Sequence, residues 1–173
     1  VTGKKAGKAV VTAKVKGKTL KCKVTVTKKQ AAKKNAKTAG KKNTTSDISL
    51  QKKVISIVNK NRKKKGLEAL TMDENLMKAA QDRAKELTKS FSHTRPNGTS
   101  CFTIFEKYKI TPTASGENIA AGQRSAAAVM DSWMNSPGHR KNILNPDFEY
   151  IGVGLARGGS YGIYWAQEFA TFK

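Results

Sequence analysis

The chain has 173 residues, 38% of them hydrophobic, and 34 Lys and Arg against 12 Asp and Glu give a formal net charge of +22. That length can bury one good-sized core plus something smaller, and no apolar run of about 18 residues exists to form a membrane-crossing helix. The charge is uneven: residues 1–66 hold 22 basic residues and one acid, Asp47, whereas residues 67–173 hold 12 basic and 11 acidic residues.

A one-sided basic block suggests contact with a polyanion such as nucleic acid, anionic lipid or a wall polymer, although a solvated lysine coat has the same composition. No aromatic residue precedes Phe91, which argues against nucleic acid, because single strands are gripped by stacking on aromatic rings. The first residue is valine and no charged-then-apolar leader follows, so a signal peptide is expected outside this chain. Cys22 and Cys101 fall in what read as different segments, so each is expected as a small buried thiol rather than half of a disulfide.

Residues 9–27 alternate in the manner of strands. Val11, Ala13 and Val15 share one face, Lys16-Gly17-Lys18 makes a turn, and Leu20, Cys22, Val24 and Val26 resume the pattern. An isolated hairpin is marginal in water, so this segment reads as the end of a truncated domain. Residues 1–27 resemble the last strands of bacterial immunoglobulin-like domains of group 2, which are spacers on secreted and surface proteins; the resemblance implies an extracellular address. The expected organisation is therefore a C-terminal fragment of such a domain at 1–28, a Lys-rich linker without periodicity at 29–45, and a second domain at 46–173.

In that second domain Ser46 or Asp47 can cap a helix with Leu50, Val54, Ile57 and Val58 on one face, ending at Gly66. Thr71-Met72-Asp73-Glu74 reads as a capping box in front of a helix with the stripe Leu76, Ala80, Ala84 and Leu87, running to about Lys89. An irregular stretch follows over 90–124, with a short helical piece expected at 101–109. Ser125 caps a third helix that buries Val129, Met130 and Trp133, and Pro137-Gly138 is expected to stop it. The tail is β: Ile151–Ala156, a Gly158-Gly159-Ser160 turn, then Tyr161–Phe169. Helices first and strands last make the class α+β.

The chain's two histidines stand in short polar motifs, Ser92-His93-Thr94-Arg95-Pro96-Asn97-Gly98 and Ser136-Pro137-Gly138-His139-Arg140, with Gly116-Glu117-Asn118-Ile119-Ala120 between them. Imidazole and carboxylate bind divalent metals and move protons near neutral pH, so His93, Glu117 and His139 read as one site. Arg95 and Arg140 flank the histidines, where they could hold an anionic group bidentately or pair with Glu117 and other acids. Asn118 and Asn142 are expected to satisfy loop backbone. A Ser136–His139–Glu117 triad is disfavoured, because Ser136 precedes Pro-Gly rather than sitting in a strand-to-helix elbow. Trp133, Trp165, Phe169 and Met130 fall on apolar phases and are expected in the core.

These motifs in this order, together with Ser132-Trp133-Met134-Asn135-Ser136, Ile151-Gly152-Val153-Gly154 and Tyr164-Trp165-Ala166-Gln167-Glu168-Phe169, resemble the bacterial branch of the CAP superfamily. Its members are the cysteine-rich secretory, antigen 5 and pathogenesis-related 1 proteins, also called SCP-like extracellular domains. The resemblance covers about residues 46–173. It implies an α-β-α sandwich with a central antiparallel sheet and a cleft holding two His and two acids that bind a divalent metal in some members. His93, Glu117 and His139 match three of the four corners. The fourth family acid follows a Trp-Tyr-x-Glu pattern, and Ser136 stands there, so that corner has lost its charge.

Two imidazoles and one carboxylate with a water would still suit a zinc site of the catalytic kind, weakened by the missing anion; the same residues could instead only knit the cleft loops together. Three functions follow. The favoured one is a secreted bacterial module, on the extracellular face or cell surface, whose cleft binds a peptide, lipid or small molecule through His93, Arg95, Glu117, Asn118, Ser136, His139 and Arg140, without established catalysis. The second is a metal-assisted hydrolase of peptide or cell-wall material with Glu117 as base. The third is a cationic surface protein anchored to an anionic wall polymer or glycan through its basic half.

Overall fold

The computed structural model describes the backbone of residues 7–15 and 18–26, and the chain from residue 45 to residue 172. The chain divides into two compact units, Val1–Gly40 and Lys41–Lys173. In the first, strands β1 (Gly7–Val15) and β2 (Lys18–Val26) pair antiparallel from Gly7↔Val26 to Val15↔Lys18. Their side chains, the expected turn and nearly all of the expected linker lie outside the described residues, and so does any test of the immunoglobulin-like resemblance.

The second unit runs α1 (Thr45–Lys63), β3 (Thr71–Met72), α2 (Glu74–Leu87), a 3-10 helix (Cys101–Tyr108), β4 (Ala114–Ala121), α3 (Ala126–Asn135), α4 (Pro137–Ile143), β5 (Tyr150–Gly158) and β6 (Gly162–Thr171). The sheet order is β3-β5-β6-β4. β4, β5 and β6 are antiparallel, and only the two-residue β3 runs parallel to β5. Helices α1, α3 and α4 cover one face, where Val54, Val58, Val129, Met130, Trp133 and Ile143 meet Val153, Leu155, Trp165 and Phe169. Helix α2 and the 3-10 helix cover the other, meeting Ile119, Ala156, Tyr164, Ala166 and Ala170. This is the expected α-β-α sandwich, and it explains why β6 is buried from Ile163 to Ala170 on both faces. No helix among the described residues is long and apolar enough to cross a membrane.

Two helix starts differ from the sequence expectation, and one further helix appears. Asp73, not Thr71, caps α2, its side chain accepting from Leu76 N at 2.8 Å; Thr71 is drawn into β3 because its N–H reaches the Glu149 carbonyl. Asp47 lies inside the first turn of α1 and accepts from Arg157 Nη2 at 2.7 Å, so a carboxylate read as a cap is a tie between α1 and β5. Helix α3 ends at Asn135, just before Pro137-Gly138 as the sequence suggested, and Pro137 then occupies the first turn of an unforeseen helix, α4, where its missing N–H is no loss.

Helix α2 lies unusually close to β5 because Gly152 and Gly154 leave the space. A Cβ on Gly152 would stand 2.2 Å from the Leu76 carbonyl oxygen, and one on Gly154 would stand 1.9 Å from that of Ala80. Side chains complete the sheet's edges. On β5 the Gln81 amide accepts from Leu155 N and donates to its carbonyl, and Val153 N–H points at the Met77 sulfur. On β4 the carbonyls of Glu117 and Ile119 accept from Asn142 Nδ2 and Trp133 Nε1.

Candidate functional site

Glu117 sits in β4, not in a loop as expected, and its antiparallel partner in β6 is Glu168. Strand alternation sends both carboxyls to the face covered by α2. Facing them is Arg83, which holds the inward phase of α2 with Leu76, Ala79, Ala80, Ala84 and Leu87 and is fully buried. Arg83 Nε donates to Glu117 Oε2 at 2.8 Å, Nη1 to Glu86 Oε2 at 2.7 Å, and Nη2 to the Ser92 carbonyl at 2.9 Å and to Glu117 Oε1 at 3.3 Å. The bond to Ser92 fixes the residue just before His93. His93 Nδ1 then meets Glu117 Oε1 at 2.7 Å, although 58% of the His93 side chain is exposed.

Two stacked carboxyls beside one guanidinium cannot both stay ionised at no cost. Burial by itself would raise Glu117, but the hydrogen bonds from His93 and Arg83 outweigh it and hold this carboxyl below the usual range. Glu168 moves the opposite way: full burial, then the Glu117 charge, push it well above the ordinary carboxylate value. Apart from its approach to Glu117, neither oxygen of Glu168 has a hydrogen-bond partner among the described residues. The pair therefore carries one negative charge at Glu117, with Glu168 as the neutral acid that can donate to it. Burial works against Arg83, but the hydrogen bond and charge of Glu117 keep the guanidinium firmly protonated.

Cys101, at the start of the 3-10 helix, is a free, buried thiol, as the sequence suggested. His93, Cys101 and Glu117 bring a nitrogen, a sulfur and an oxygen within 4.8 Å of one another, a grouping that could hold a metal ion. Burial, then the charges of Glu117 and Glu168, push the Cys101 thiol up to about 12, so it is protonated and unlike the thiolate that metals bind. His139 lies outside this group. It is half-buried on α4, and burial and then the charge of His93 lower its pKa, which favours the neutral imidazole.

The remaining expected residues scatter. Asn118 is fully buried on the opposite face of β4, where Nδ2 donates to the His139 carbonyl at 3.1 Å and to Gln167 Oε1 at 3.0 Å, and Oδ1 accepts from Asn142 at 2.9 Å. It ties α4, and with it His139, to the sheet. Arg95 is taken up by Glu86, with Nη2 to Oε1 at 2.8 Å, and by Thr103 Oγ1 at 2.8 Å, rather than by Glu117. Exposed Arg140 donates to the Met134 carbonyl at 2.9 Å. Ser136 is the half-buried junction of α3 and α4 and makes no side-chain cap bond; among the described residues no hydrogen bond joins it to His139 or Glu117, so no triad is built. Two open cavities of about 450 and 540 Å³ lie elsewhere, one between α1 and α2 and one beside the α4–β5 connection.

Sequence reading missed Arg83, Glu86 and Glu168. The signal was present: Arg83 interrupts the apolar stripe of α2, and Glu168 stands in a strand whose neighbours on both faces are buried.

Residues 55–169 match the family profile described as CAP: Cysteine-rich secretory protein family. The Bacillus subtilis (strain 168) protein YkwD is 41% identical over 139 residues, which cover 76% of this chain and 53% of YkwD, so the chain spans about half of that relative. Among solved structures, an extracellular protein containing an SCP domain from Bacillus anthracis superposes with a TM-score of 0.67 at 27% identity, over 73% of this chain and 41% of the other. An outer surface protein from Borrelia burgdorferi gives a TM-score of 0.66 at 26% identity, over 76% of this chain and 96% of the other.

Proposed function

The chain belongs to the CAP family of cysteine-rich secretory proteins, and from that premise we propose that it is a bacterial extracellular or surface-displayed binding module whose recognition centre is the exposed edge of His93. The descriptions of the Bacillus anthracis and Borrelia burgdorferi relatives as extracellular and outer surface proteins support the address. The observation that carries the reading is a solvent-facing imidazole with one nitrogen clamped. His93 is 58% exposed at its side chain, yet Nδ1 is held at 2.7 Å by a buried carboxylate that Arg83 holds in turn. A freely solvated histidine needs no such support. The clamp keeps the proton on Nδ1 and presents the Nε2 lone pair outward in one orientation, as in carboxylate-backed metal and ligand sites.

A divalent metal such as zinc would take the outward Nε2 of His93 as its first donor, and the neutral His139, which lies outside the grouping of His93, Cys101 and Glu117, would have to move toward it to supply a second nitrogen. Arg83 already occupies both oxygens of Glu117, so this carboxylate is better suited to orienting His93 than to direct ligation. A bound ion would supply Lewis-acid polarisation of a ligand oxygen. The hydrolase reading is the weaker one, because Glu117 is depressed and saturated with donors and so is a poor general base.

Zinc titration by calorimetry at neutral pH, on the whole chain, tests this. Binding is expected in the wild type, to be lost in His93→Ala/His139→Ala, and to weaken by about 10- to 100-fold in Glu117→Gln through the lost clamp. Absence of binding in the wild type would sink the metal reading and leave the cleft as a site for organic ligands.

A further inference from the structure

We propose that the folded domain carries its own seat for a linear polyanion, on the surface formed by the last turn of α1 and the α4–β5 connection. Lys60, Lys63, Lys64 and Lys65 are all exposed, and Lys60, Lys63 and Lys64 share one face at i, i+3 and i+4 spacing. Between them in sequence, Arg62 turns the other way and is buried. Its guanidinium donates to the carbonyls of Glu68 at 2.7 Å, Ile143 at 3.0 Å, Asn145 at 2.7 Å and Phe148 at 3.3 Å. One buried arginine thus pins the lysine-bearing turn to the segment after α4. On that segment the cavity of about 540 Å³ opens, lined by Arg140, Lys141, Leu144, Asn145 and Asp147 among others.

None of the four lysines, nor Arg140 or Lys141, enters any of the seven ion pairs among the described residues. The acids on the same two segments are Glu68, Asp147 and Glu149, all exposed, so exposed cations outnumber carboxylates there six to three. A helix C-terminus favours basic residues in its last turn, which accounts for one or two lysines but not for a cluster that repels itself at i, i+4. What relieves the repulsion is a partner with closely spaced negative charges. Bases are not part of that partner, since neither residues 60–65 nor residues 140–147 include an aromatic ring to stack on them. The fit is to a sugar or polyol chain bearing phosphate or sulfate. These cations sit on a rigid platform pinned by Arg62, and they engage the polymer independently of the His93 site.

Binding of the whole chain to immobilised polyphosphate and to heparin, across a salt series, tests the seat. Lys60→Gln/Lys63→Gln/Lys64→Gln/Lys65→Gln is compared with Lys4→Gln/Lys5→Gln/Lys8→Gln/Lys14→Gln, which removes the same charge from the first unit. The α1 variant is expected to lose at least tenfold in affinity on one or both polymers and to flatten the salt slope by about three, given roughly 0.7–0.9 per neutralised anion. The control should lose less, and the Lys→Arg version of the α1 variant should bind like wild type. The arm that weakens identifies phosphate or sulfate. Equal losses in the two glutamine variants, or no loss in either arm, would overturn the seat, and tighter binding to single-stranded DNA with the same α1 dependence would overturn the choice of partner. Unchanged thermal unfolding of the variant confirms that only surface charge was altered.

Discussion

Replacing Glu168 with glutamine should stabilise the protein at neutral pH and leave it nearly unchanged near pH 4. Glu168 is fully buried, faces the charge on Glu117, and has its pKa raised well above the ordinary value. An acid whose folded pKa exceeds its unfolded one makes folding bind a proton, so wild-type stability falls as pH rises above about 4 and levels off once the folded value is passed. An unfolded glutamic acid titrates near 4.3, and each unit is worth about 1.4 kcal/mol, so holding the proton at pH 7 costs at most about 4 kcal/mol. The glutamine in Glu168→Gln would keep the shape and a donor toward Glu117 without that cost. The expected gain is at most about 4 kcal/mol at pH 7, shrinking toward zero at pH 4. Urea unfolding followed by tryptophan fluorescence measures it, because Trp133 and Trp165 are both buried in this domain. A variant destabilised equally at both pH values would refute the reasoning, since it would mean that Glu168 is needed as a carboxylate paired with Arg83.

Arg83→Met should do the reverse, removing the cation that keeps Glu117 ionised and lowering stability by about 3–5 kcal/mol at pH 7, with part of the loss recovered on acidification as Glu117 takes up a proton; a loss below about 1 kcal/mol in the same urea assay would count against the network. Gly154→Ala drives a methyl group into the backbone of α2 at Ala80, and a loss of about 3 kcal/mol or more is expected from a clash no rotamer relieves, read as the melting temperature. In a Cys22→Ser background, Cys101 should react with a thiol reagent at pH 8 only as fast as the protein unfolds, because its thiol is buried and pushed up to about 12; rapid labelling in the native state would contradict that placement.

The sandwich was legible because its signals are local. Ser125 caps α3 as the hydroxyl before an apolar run should, and Gly66 at φ +71° ends the first helical region where the glycine suggested. The helix-to-strand order then fixed the class. β4 was hidden because Gly116-Glu117-Asn118 looks polar and loop-like, and only pairing with β6 and cover from α2 make burial of those groups tolerable. Of the site, the histidines and Glu117 could be named, since imidazole is rare in this chain. The clamp behind them could not, because Arg83, Glu86 and Glu168 come from distant positions and matter only through distances the fold creates. Arg95 could be read as holding an anion or as pairing with an acid, and geometry decided for the acid, Glu86.

The way the four-stranded sheet ends has a consequence for self-association. Strands left bare at a margin invite copies of the same protein to zip on, the usual first step toward fibres. Here the amide of Gln81 imitates a missing peptide group along β5, and the indole of Trp133 and the amide of Asn142 do so along β4. Packed side by side, two copies of this four-stranded sheet would find these rungs along β4 and β5 already taken.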